Sequence, residues 1–396
     1  MNHTPTPLME LARFFLRLGF TAFGGPAAHL AIMRDEVVTR RGWLTETEFL
    51  DLISAANLIP GPSSTEVAIH IGYRRCGWAG LAVAGLCFIL PAALIVAAIA
   101  AAYSRYGSIL ASSGLLRGVK PAVIAVVLQA IVGLARPAIK TRALLLLAVA
   151  AGAFAFMGFA VLPLLIGAGV LAAASGWARA RRTQGTSLSP QPLIAIIAGS
   201  AALILLPSLL TWFFPAPHGR IAFGLLPLFL FFLKIGSVVY GSGYVLLAFL
   251  RDGLVTGWHW LSEGQLIDAI AVGQITPGPV FTTATFIGYL LGGVAGALAA
   301  TVAIFLPSFV FVAATAPVAA RMRNLPLASS FLDGVNAGAI ALMVVVTVQL
   351  ARAALVDVPT ASIALVSAFL LVRVRVPSMY VIAGSALAGI VIAHVR

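Results

Sequence analysis

The chain has 396 residues, of which 61% are hydrophobic and only 9% charged, and its mean hydropathy is +1.05. A soluble domain carries about 25% charged residues, so these values exclude an aqueous fold and make lipid the solvent for most of the chain. The formal net charge of +13 reads as Lys and Arg placed in loops to fix orientation, and no nucleic-acid partner is expected. Cys76 and Cys87 have no metal-ligand spacing with each other or with a His cluster, so no metal or cofactor is expected. The opening MNHTPTPLME lacks a basic n-region and a small-residue cleavage site, and the first apolar segment is expected to stay in the mature protein.

Apolar runs long enough to cross a bilayer fall first at about 8–32, 48–73, 77–103, 115–135, 143–156 and 158–178. A polar linker, 179–192 (RARRTQGTSLSPQP), separates these from an extra apolar segment at about 193–214. Six more runs follow, at about 221–247, 265–289, 293–319, 329–351, 354–372 and 377–395. The expected fold is an all-α polytopic membrane protein with about 13 transmembrane segments. Its expected units are a first repeat 1–178, the linker 179–192, an extra segment and loop 193–220, and a second repeat 221–396.

The two repeats are visible as an internal register. A shift of 217 positions carries Arg34-Asp35 onto Arg251-Asp252, Trp43-Leu44 onto Trp260-Leu261, Asp51 onto Asp268, and Pro60-Gly61-Pro62 onto Pro277-Gly278-Pro279. After one deletion the shift is 216, and Ile71-Gly72-Tyr73 meets Ile287-Gly288-Tyr289 while Pro91 meets Pro307. With 13 crossings and an inside N-terminus, seven precede the second repeat, which makes the repeats inverted; thirteen loop cations then lie inside against nine outside. If both Pro-Gly-Pro segments re-enter instead of crossing, the count becomes eleven and the repeats parallel.

Charges in the apolar runs mark candidate sites, because a basic side chain at a helix centre costs about 2.5–3.5 kcal/mol on insertion scales. Arg17 and Lys234 are related by the 217 shift, and together they suit a divalent oxyanion near the midplane; the alternative is that each snorkels or pairs with a carboxylate. Pro60-Gly61-Pro62 and Pro277-Gly278-Pro279 break their helices. The half-helices beyond them begin with Ser63, Ser64 and Thr65, and with Thr282 and Thr283. Free N–H groups and hydroxyls at such starts can bind anions. Gly24-Gly25, matched by Gly241, allows close helix approach or an unwound segment. Glu66 and His70 share one helix face and are either a proton path or a structural pair. Arg34, Asp35, Arg251 and Asp252 are candidates for gating or structural roles. There is no Walker loop, zinc spacing or Gly-X-Ser-X-Gly elbow, so an enzyme is not expected.

The stretch FTAFGGPAAHLAIMRDEVVTRRGWLTETEFLDLISAANLIPGPSSTEVAIHIGYRRCGWAG closely resembles the N-terminal half of the chromate transporter family. KIGSVVYGSGYVLLAFLRDG and QITPGPVFTTATFIGY resemble its C-terminal half. The resemblance implies a long-chain, two-domain member in a prokaryotic inner membrane, with chromate efflux and resistance as its role and sulfate as the substrate's analogue; the loop charges set its N-terminus in the cytoplasm. The function expected is a secondary transporter exporting chromate by alternating access. Arg17 and Lys234 would neutralise the dianion, and proton exchange would run through Glu66 or His70. The alternative is uptake or exchange of sulfate or another anion. Expected partners are the oxyanion and the lipid bilayer, with a homodimer as the one protein partner considered.

Overall fold

The computed structural model describes residues 8–23, 25–112, 114–184, 222–240, 245–316 and 326–395, and these are helices joined by short turns, with no strand among them. The extra segment 193–214, most of the linker, Gly24 and Gly241 lie outside the described residues. Among the described residues, five helical stretches are long and apolar enough to cross a membrane: Ser63–Tyr106, Leu115–Ala138, Val161–Arg179, Val280–Thr315 and Ser329–Ala354.

The first expected run, 8–32, is two helices rather than one. Helix α1 (Leu8–Thr21) stops before Ala22-Phe23, and α2 (Gly25–Arg34) continues through widened turns over Asp35–Arg40. Arg41, past the end of α2, forms an ion pair with Glu10 at the start of α1, and its guanidinium stacks on Phe14. A continuous helix would put residues 10 and 41 about 46 Å apart, so α1 and α2 form a hairpin with its tip at 22–25.

The Pro-Gly-Pro run is a second hairpin. Helix α3 (Glu46–Leu58) is started by a capping box in which Thr45 accepts from the Glu48 N–H and the Glu48 side chain accepts from the Thr45 N–H. Helix α4 (Ser63–Ser112) begins after Pro62. It is bent double at Cys76-Gly77, where Gly77 has φ +58°, into arms 63–75 and 78–112. Arg74, closing the first arm, bonds to Glu48 at 2.9 Å, and Arg75 donates to the Trp43 carbonyl. Over 26 residues a straight helix would separate the Glu48 and Arg74 backbones by about 39 Å. The Pro-Gly-Pro therefore sits at a hairpin tip.

The second half repeats every element. Helix α8 (Leu225–Val238) is α1 shifted by 217. Helix α9 (Leu246–Leu250), with its wide turns Arg251–Gly257, stands where α2 does. Helix α10 (Glu263–Ile275) is α3 shifted by 217, and its capping box uses Ser262 and Gln265. A short turn, Val280–Thr282, leads into α11 (Thr283–Thr315), which reverses at Gly292-Gly293 with dihedral angles within about 7° of those at Cys76-Gly77. The Arg34–Glu46 ion pair between the two hairpins recurs as Arg251–Glu263.

The long arms of α4 and α11 lie side by side and run opposite ways. Gly85, near the start of one, abuts the ring of Phe309 near the end of the other. Tyr103, far along α4, donates to Asp268 and packs on Phe286 beside the second pair of hairpins. Around this centre stand α5 (Leu115–Ala138), α6 (Arg142–Phe156), α7 (Val161–Gln184), α12 (Pro326–Ala354), α13 (Val358–Phe369) and α14 (Ser378–Val395). They exchange partners: α5 packs on α13 and α14, and α12 on α6 and α7. Small residues permit the contacts, since a Cβ at Gly118 would meet the Ser385 carbonyl and one at Gly334 the Ala168 carbonyl. Each half is thus completed by the other.

Candidate functional site

The four hairpin tips meet inside the molecule. The Gly61 N–H, at the first Pro-Gly-Pro, donates to the Val239 carbonyl at 2.7 Å; the Gly278 N–H, at the second, donates to the Ala22 carbonyl at 2.9 Å. Gly61 and Gly278 are related by 217 positions, as are Ala22 and Val239, so the two bonds are counterparts. Both glycines have positive φ, +139° and +88°, values at which a Cβ is strained. A Cβ at Gly61 would also lie 2.1 Å from Glu66 Oε1, and one at Gly278 would lie 2.6 Å from the Ala92 methyl. Only glycine lets the tips close.

Pro60, Gly61, Pro62, Ser64, Thr65, Pro277, Gly278, Pro279, Thr282 and Thr283 are all buried at this junction, Ser63 is half-buried, and Gly25 begins α2 with φ +75°. Three helical segments, α2, α4 and the turn leading to α11, start at the tips, so their positive ends point into the junction. The hydroxyls divide by half. Thr282 and Thr283 donate to their own backbone at Pro279 and Val280, whereas Thr65 Oγ1 is buried without a partner.

Two histidines and a carboxylate belong to the first half alone. His29 Nε2 lies 3.2 Å from the Ala22 carbonyl, which can only accept, so Nε2 carries the proton; Nδ1 then faces the Ser64 hydroxyl at 3.2 Å. His29 therefore ties the first tip to the start of α4, with its ring edge-on to Phe88. Glu66 is fully buried: Oε1 is 3.4 Å from the Ser308 hydroxyl and Oε2 has no partner. His70, one turn along, is buried with neither ring nitrogen bonded. Glu66 and His70 share a helix face but form no hydrogen bond with each other.

Arg17 and Lys234 sit apart from this cluster, each on its own hairpin. Arg17 donates to Glu36 at 3.0 Å, with 60% of its side chain exposed. Lys234 is at the chain surface within electrostatic reach of Asp252. Each cation has a carboxylate from the other arm of its hairpin. Arg34 and Arg251 close the inter-hairpin ion pairs, and Asp35 pairs with Arg40. At the hairpin ends Glu48 is held down to about 2, chiefly by the Thr45 N–H and then by Arg74.

Ala22, Val239 and Ser308 were not candidates from the sequence. Ala22 and Val239 do stand beside the Gly-rich tips at the 217 shift, which is a usable signal. Ser308 carries none, because only the crossing of α11 over α4 brings it to Glu66.

The sequence model described as chromate transporter matches residues 9–177 and 226–390. A chromate transport protein of Cupriavidus metallidurans is 34% identical over 391 residues, covering 97% of this chain and 93% of that protein. A probable chromate transport protein of Synechococcus elongatus is 33% identical over 416 residues, covering 98% and 96%. An uncharacterized transporter of Methanocaldococcus jannaschii is 28% identical over 348 residues, covering 85% and 83%. No solved structure matches the chain. The apolar helices agree with these relatives in describing a multi-pass membrane protein, and the match over both halves establishes that the chain belongs to the chromate transporter family.

Proposed function

We propose that this chain exports chromate, a divalent oxyanion, from a prokaryotic cytoplasm through the inner membrane, and that the anion binds where the four hairpin tips meet. The observation that carries this reading is the matched pair of tip bonds, Gly61 to Val239 and Gly278 to Ala22. It supports a central site built from backbone donors, helix starts and hydroxyls, the groups that hold tetrahedral oxygens in broken-helix transporters. Arg17 and Lys234 supply the positive approach to it. An exposed Arg17 on an apolar arm is costly against lipid, which favours an aqueous face there. Glu66 and His70 carry the proton coupling.

The topology we infer is an inverted repeat. Each half contributes two re-entrant hairpins and four crossings, and the apolar run 193–214, outside the described residues, is counted from its sequence alone as a fifth before the second half begins. Five is odd, so the second half starts on the opposite side, in keeping with the antiparallel long arms. Along the sequence this topology puts fifteen loop cations on the N-terminal side and seven on the other. That bias favours a cytoplasmic N-terminus more strongly than the thirteen against nine of thirteen simple crossings.

The test is chromate uptake into everted membrane vesicles, with sulfate as competitor. Saturable uptake that Lys234→Gln and Arg17→Gln weaken several-fold is expected. Vesicles that contain the protein and accumulate nothing would exclude export; unchanged kinetics in both variants would remove the cations from the path.

A further inference from the structure

Glu66 has a setting that its counterpart Thr283 lacks. It lies against the backbone of Gly61 at the tip junction, fully buried, with Oε2 unpartnered. Thr65 Oγ1 and both ring nitrogens of His70, on the same helix start, are also buried without partners. Ser308 from α11 and Tyr240 from the tip of α8 face Glu66, His70 follows one turn along its own helix, and His29 reaches the same helix start through Ser64. Among the described residues no Lys or Arg is ion-paired with it.

We infer that Glu66 binds one proton together with each oxyanion at the tip junction, so that proton and anion cross in the same direction. This rests on the oxyanion site proposed above. An ionised carboxylate beside the tip, ion-paired with no Lys or Arg among the described residues, would repel a dianion in a low-dielectric site. The carboxylic acid instead has an O–H to donate to an anion oxygen, as the neighbouring unpartnered Thr65 hydroxyl has. Anion binding therefore favours protonation, and by linkage protonation favours anion binding to the same extent. Two ligands that bind cooperatively to one alternating site travel together, the reverse of the exchange expected from the sequence. A dianion with one proton carries one negative charge per turnover rather than two, so an inside-negative potential still drives exit.

The test uses the purified full-length chain in liposomes, with the voltage clamped at zero by potassium and valinomycin. Chromate-for-chromate exchange measures the anion site, and an imposed pH gradient measures the coupling. An inward proton gradient is expected to raise chromate uptake several-fold and transiently above equilibrium. With no gradient imposed, chromate addition is expected to acidify a lumen that holds a pH-sensitive dye. In Glu66→Gln, which donates but cannot release a proton, the remaining flux is expected to ignore the gradient. Luminal alkalinisation, or a Glu66→Gln flux that still follows the gradient, overturns the inference while leaving the anion site intact. Absence of exchange in the unmodified protein overturns the site, and the coupling with it.

Discussion

The two tip junctions share one backbone and differ in chemistry. Gly61 and Gly278 make matched bonds, α1 and α3 match α8 and α10 in length, and α3 and α10 both start with a capping box. At the first tip the neighbours are Glu66, His29, Ser64 and Ser308; at the second, the corresponding positions hold Thr283, Leu246, Phe281 and Ala92. Phe281 is buried and the Thr283 hydroxyl is satisfied by its own helix, whereas Glu66, Thr65 and His70 keep unmet bonding capacity. Duplication made the scaffold that brings helix ends together, and divergence placed the titratable groups on one side of it. Under the proposed coupling, the first tip is the one that would take up protons, and the second keeps only the scaffold.

The largest effect expected is from Gly61→Ala. Its φ of +139° is nearly restricted to glycine, and the new Cβ would strike Glu66 and Ser308. Transport should fall at least tenfold, and combining it with Glu66→Ala should relieve the contact but not the backbone strain. Gly278→Ala should also fail: its φ of +88° strains any Cβ, and the Ala92 methyl 2.6 Å away is fixed to its backbone and cannot turn aside as the Glu66 carboxylate can. No rescue of Gly61→Ala by Glu66→Ala in transport assays would count against the asymmetry.

Next is His29→Leu, which installs the residue of the second half. It removes two buried hydrogen bonds, at a cost of about 1–3 kcal/mol for the groups left unpaired, and should lower the melting temperature in detergent by several degrees. Leu246→His should not stabilise the other side.

A smaller change should follow Arg17→Gln and Lys234→Gln. Each is expected to raise the KM for chromate several-fold, with the effect shrinking at high salt because an exposed approach charge is screened. A KM independent of salt would instead place the charge in contact with the anion.

The smallest effects concern helix starts. Thr45→Ala and Ser262→Ala should each cost about 1 kcal/mol. Glu48 adds the bond to Arg74, which Gln265 does not match. Its carboxylate is held at about 2, so its stabilisation is complete above the ordinary carboxylate range and lost as pH falls through that range towards 2. The difference in melting temperature between the unmodified protein and Glu48→Gln should be constant from pH 8 to about 5 and shrink below it.

The amino-acid order alone determined the membrane setting, the duplication and the importance of the Pro-Gly-Pro segments. Apolar content, register and helix-breaking residues are local properties, and they survive without knowledge of neighbours. Whether 46–75 crosses or folds back was beyond it, because hydropathy is the same for both; the Glu48–Arg74 bond shows the fold-back. The 217 register pairs Arg17 with Lys234, and the alternative that each meets a carboxylate was also legible, but not that Glu36 and Asp252 on the other arm of each hairpin supply it. Ser308 reaches Glu66 across 242 residues, and Ala22 meets Gly278 only because four tips converge. Those contacts depend on helix crossings, where small residues let backbones touch, and no pattern along the chain encodes which crossings occur.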